Sequence, residues 1–227
     1  MYVPSLQTAV DRYGTSLTIP KMLEKLHPRA KGNPGNAGAL APAIVLTSVS
    51  AFEGFVEEFV ALVAAHRNQS FGQIAKLATM NNPTVKTFDE KLRNVLQWGD
   101  GATWKTLFSI ETWKAPAVGD STWIQKQSRT WAEAEEDADG WMQVRHCLTH
   151  GLVRGFRPEV WPGPLRGTIA ASSVLRPQSS GRHSLSLHGA ESCAHVYRSC
   201  GQKLADEAAQ FLGHPPLSWD KVPDFPL

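Results

Sequence analysis

The stretch Arg145-His146-Cys147-Leu148-Thr149-His150-Gly151 brings one guanidinium, two imidazoles and a hydroxyl close together along the chain. Arginine stays charged at any physiological pH, and its planar fork matches phosphate oxygens. Histidine titrates near neutrality and can take or give a proton. Metal-free cleavage of RNA asks for these two residue types. The ribose 2′-OH is the nucleophile, so one group must accept its proton and another must protonate the leaving 5′-oxygen. A fixed cation must also hold the phosphorane charge. On this chemistry His150 is the acid/base and Arg145 the phosphate clamp. His146, four residues before His150 on the same helical face, is placed to position it or to touch phosphate. Two further pairs, Arg176 with His183 and Arg182 with His188, have similar spacing but fall in a Ser/Gly-rich loop.

The charge distribution points the same way. Net charge is only +2, yet residues 141–190 hold six arginines (Arg145, Arg154, Arg157, Arg166, Arg176 and Arg182) against one acid, Glu159. A phosphate-bearing partner, RNA or DNA, explains an all-arginine excess, and Arg154, Arg157 and Arg166 are its candidate nucleic-acid contacts. A solvated basic loop is the alternative. At 42% apolar and 19% charged, the chain is neither collagen-like nor wholly disordered. Cys147, Cys193 and Cys200 form no CxxC pair and make no disulfide framework. The apolar run 39–46 is broken by Pro42, well short of the ~20 residues a membrane helix needs. With no signal-like start, the expected address is the cytoplasm. Neither metal nor cofactor is expected. A zinc reading through His146-x3-His150 lacks the usual glutamate, since Cys147 stands in its place.

Several helices must position the motif. Residues 1–38 read as a peripheral arm, with a short helical pattern around 19–26 and a breaker-rich linker at 28–38. Residues 43–65 form the strongest helix, with an apolar stripe from Val45 to Val63 and a narrow polar face of Ser50, Glu53 and Glu57. Asn82-Pro83 reads as cap and first residue of a helix that stops at Gly99. A short helix follows over 104–113. Thr130-Trp131-Ala132-Glu133 has capping-box form and opens a helix toward Leu152, whose seam (Trp131, Ala134, Ala138, Trp141, Leu148) passes through position 145. A guanidinium in line with that seam needs a counter-charge or a ligand. Residues 153–189 read as a long loop with a hairpin at 168–175 and 183–187. A last helix runs from about Cys193 to Phe211 and stops at Gly213. Residues 214–227 read as an irregular tail, with Trp161 and Trp219 as candidate exposed contacts. The expected fold class is all-α: an up-and-down bundle with a long loop or small hairpin before the last helix, the domain covering 39–213.

An acid on a long buried helix (Glu53), followed by a helix carrying Arg-x4-His with a polar second residue and a trailing glycine, resembles the HEPN superfamily. The nearest likeness is to its RiboL-PSP-type ribonucleases of bacterial toxin and phage-defence systems, over residues 40–213. The resemblance implies a metal-independent endoribonuclease, catalytic Arg145, His150 and His146, and supporting roles for Glu53 and Thr149. Glu53 would orient Arg145 from the neighbouring helix. Five residues on a helix subtend about 500°, so Arg145 and His150 diverge unless the helix ends between them or two copies face each other. The resemblance implies the latter, a homodimer with a composite site. It also implies a neutralising antitoxin or regulatory partner. Two structural alternatives stand beside this: Arg145 as an ion pair with Glu53, and His150 as a helix C-cap. A non-catalytic HEPN-like adaptor that binds RNA or protein is the alternative function.

Overall fold

The computed structural model describes residues 3–29, 35–99, 103–114, 125–149, 185–225 and 227. Among them run α1 (Leu6–Leu26), a 3₁₀ turn (Gly35–Ala39), α2 (Leu40–His66), α3 (Phe71–Ala78), α4 (Val85–Leu96) and α5 (Trp104–Leu107). Then come β1 (Ser109–Trp113), β2 (Lys126–Thr130), α6 (Trp131–Thr149) and α7 (Leu187–Phe211). Among the described residues the fold is the expected helical bundle, with one small antiparallel hairpin.

Helix α2 is the axis on which the rest is hung. Its valines and phenylalanines recur at 3-4 spacing around most of its girth, so it contacts α1, α3, α4, α6 and α7. By length and mean hydropathy it would suit a membrane. Here Phe52, Val56, Phe59, Val60 and Val63 are fully buried against the other helices. Phe55 stacks on Tyr13 at 4.5 Å between ring centroids, and Phe52 and Phe59 meet Phe88 edge-on.

Two parts expected at the periphery belong to this core. Ser5 caps α1, and Leu6, Ala9, Val10, Tyr13 and Leu17 on it are no more than 2% exposed. The expected arm is therefore a core helix, longer than the 19–26 pattern suggested. Ile19, Met22 and Leu26, which carried that pattern, face outward. The residues after α7 are irregular, as expected, yet Trp219, Val222 and Phe225 are buried. Trp219 rests edge-on against Phe55 and donates its indole N–H to Asp206 at 2.8 Å, so it is no exposed contact. Gly14 explains how the tail comes so close: a Cβ there would stand 3.0 Å from the Lys221 carbonyl oxygen. Trp161 lies outside the described residues.

A hairpin that the sequence did not suggest lies upstream of the expected one. Only Trp104–Leu107 of the expected 104–113 helix is helical, and Ser109–Trp113 is a strand paired antiparallel with Lys126–Thr130, Glu111 opposite Ser128. Leu187 begins α7, so the second arm of the expected hairpin is not strand at its described end. Residues 168–184 lie outside the described residues. The strand–helix junction fixes α6: the Thr130 N–H and hydroxyl both donate to Glu133, and the Arg129 fork grips Asp137 at 2.8 Å through two nitrogens. Those hydrogen bonds from Thr130 hold the Glu133 carboxyl below its ordinary range.

Candidate functional site

The buried stripe of α6 is Trp131, Ala134, Ala138, Trp141, Met142, Val144 and Cys147, which turns Arg145 to the edge of the seam. Its side chain is 21% exposed and that of Glu53, facing it from α2, 16%. Arg145 Nη2 donates to Glu53 Oε2 at 3.1 Å, and Nη1 donates to Asn82 Oδ1 at 2.9 Å. Glu53 is thus the acid that orients the guanidinium, at a charged pair neither sealed nor fully wet. The counter-charge that the seam required is present.

Asn82 is the partner that sequence reasoning gave another task. Helix α4 starts two residues later than expected, with Thr84 accepting from the Thr87 N–H as its cap, and ends at Gln97 in the left-handed conformation rather than at Gly99. Asn82 itself has φ +51°, a left-handed backbone that asparagine tolerates better than most residues. With the cap role taken by Thr84, the Asn82 amide is free to meet Arg145. The only signal in the sequence was an Asn-Asn-Pro turn between two helices.

Glu53, Glu57, Met80, Asn81, Asn82, Pro83 and Arg145 line one open cavity of about 290 Å³. Glu53 and Glu57 are one helical turn apart on the polar strip of α2, so both reach it. Burial pushes the Glu53 carboxyl above its ordinary range, Arg145 pulls it down, and Glu57 adds to the rise. Glu53 Oε1 is buried with no hydrogen-bond partner among the described residues. A fixed guanidinium at the rim of a polar cavity can hold an anionic oxygen, because only two of its five N–H donors are engaged by these contacts.

The other described motif residues, His146, Cys147, Leu148 and Thr149, do not line the cavity. His146 is half-buried on α6. Thr149 is exposed and donates its hydroxyl to the Arg145 carbonyl oxygen at 2.8 Å, a bond within the helix. Cys147 is buried, which pushes its thiol up to about 12. His150, Arg154, Arg157 and Arg166 lie outside the described residues. Among the described residues no three His, Cys, Asp or Glu side chains converge as a metal site. Comparison with protein-family models, curated proteins and solved structures finds no match to this chain.

Proposed function

We propose that this protein is a metal-independent endoribonuclease of HEPN type that cleaves RNA by attack of the ribose 2′-OH. One observation carries the reading: Arg145 stands at a cavity rim, oriented by Glu53 and Asn82, near the C-terminal end of α6 and five residues before His150 in the sequence. Arg145 would hold the scissile phosphate through its remaining N–H groups, and His150 would protonate the leaving oxygen. The arginine-rich segment 154–182 supplies the long-range attraction for RNA. In this reading two copies complete one cleft, and a toxin or defence role requires a neutralising antitoxin or regulatory partner in the same cytoplasm.

The test is a digestion of tRNA and mRNA by purified protein, with and without EDTA. Cleavage leaving 2′,3′-cyclic phosphate ends, unaffected by EDTA, is expected. Arg145→Lys keeps the charge beside Glu53 but loses the fork, and His150→Ala loses the proton relay. Each should abolish cleavage while thermal unfolding stays cooperative. Undiminished cleavage by either variant would sink the reading. The adaptor alternative draws support from the same ion pair, because Glu53 already satisfies Arg145 within one chain. It predicts salt-sensitive RNA binding and no product.

A further inference from the structure

We infer that Glu57 is the proton acceptor of this cavity, the carboxylate that takes the proton of the attacking 2′-OH while Arg145 holds the phosphate. The inference rests on the ribonuclease reading and names the base that it left open. Among the lining residues, arginine has no acceptor, the amides of Asn81 and Asn82 do not titrate, and Met80 and Pro83 carry no proton-transfer group. Glu53 is unsuited too: Oε2 is engaged by Arg145, and Oε1 has almost no accessible surface from which to take a proton. Glu57 remains. It lines the cavity and has no hydrogen bond or ion pair with any described residue.

Its position suits the task. Glu57 follows Glu53 by four residues on a rigid helix, about 5–6 Å along the same face from the anchor of the phosphate clamp. The charge of the cavity also fits. Glu53, Glu57 and Arg145 together carry one negative charge, a poor arrangement for merely binding a polyanion. It becomes a favourable one as reaction proceeds. The 2′-OH proton passes to the Glu57 carboxylate, the O2′–P bond forms, the P–O5′ bond breaks, and the 5′-oxygen takes its proton from His150. Glu57 is therefore neutralised as negative charge builds on the phosphorane, so repulsion falls in the transition state relative to the ground state.

The experiment uses the full chain and an oligodeoxynucleotide with a single ribose at the cleavage position, assayed from pH 4.5 to 8. Binding is measured with the all-deoxy strand. For Glu57→Gln, kcat should fall on the order of 10²–10⁴-fold. The acidic limb of the kcat–pH profile should disappear, while all-deoxy binding is unchanged or tighter. Glu57→Asp should recover part of the rate together with the acidic limb. If Glu57→Gln cleaves as fast as the wild type with the limb intact, Glu57 is only a repulsive wall and the inference fails alone. If the wild type cleaves no RNA, the ribonuclease reading fails and takes the inference with it.

Discussion

Asn82 meets two demands at once, a left-handed backbone and an acceptor for Arg145. Asn82→Gly keeps the first and removes the second, whereas Asn82→Ala removes both. The glycine variant should lose about 1 kcal/mol, the net value of one hydrogen bond to a partly exposed cation. The alanine variant should lose about 1–2 kcal/mol more from left-handed strain. Urea unfolding at unchanged m checks this, and equal midpoints for the two would deny the backbone demand. His195 makes a pH-dependent case. Burial lowers its pKa, Arg198 adds to the lowering, and Asp224 and Glu111 oppose it; its Nδ1 has no partner among the described residues. The stability that a neutral His195 contributes is complete above its unfolded pKa of about 6.5 and is lost as pH falls through the lower folded value. Thermal midpoints of the wild type should therefore drop more between pH 7 and 5 than those of His195→Asn. Parallel curves would contradict that.

At the scale of elements, legibility followed the apolar stripe. Helices α2, α6 and α7 announce themselves because apolar residues, large or small, recur every three or four positions. Helix α1 does not, since its buried face mixes Ala9, Gly14 and Tyr13 with threonines on the same turns while its exposed end carries Ile19, Met22 and Leu26. Strand β2 was invisible for a plainer reason: Lys-Gln-Ser-Arg-Thr has no apolar residue to alternate. The Glu53–Arg145 pair was legible because a cation beside a buried seam demands a partner. Asn82 was not, because only the approach of the 79–84 loop to α6 makes it one. Two predictions belong here. Gly14→Ala should destabilise by about 1–3 kcal/mol despite better helix propensity, because the new methyl meets a carbonyl that cannot move without shifting the tail. Arg29 bridges Glu24 of α1 and Glu191 of α7, both nearly inaccessible to water. Arg29→Met leaves those carboxylates with Lys21 alone and should cost about 1–3 kcal/mol by chemical denaturation, less than a sealed pair because the Arg29 side chain is 59% exposed. A loss under 1 kcal/mol would show that the bridge is idle.

For the molecule as a whole, the core has no removable arm. Leu6, Val10, Tyr13 and Leu17 are buried to within 2%. Their transfer from water is worth on the order of 6–12 kcal/mol, comparable with the entire stability of a typical domain at about 5–15 kcal/mol. Deleting residues 1–38 should abolish cooperative unfolding and expose dye-binding apolar surface; a sharp thermal transition in that truncation would count against this account. The opening and closing segments are also laced together: Ser5 hydrogen-bonds His214 at 3.1 Å, and the Gln7 side chain exchanges two bonds of 2.8 Å with the Ser218 backbone. Translation delivers that lacing only after every helix beneath it has been made. A polypeptide that stops before residue 219 lacks Trp219 and Phe225, and so leaves Phe55 of α2 and Lys21 of α1 without those ring contacts. Such a fragment should therefore lose the sharp thermal transition of the chain that carries both rings.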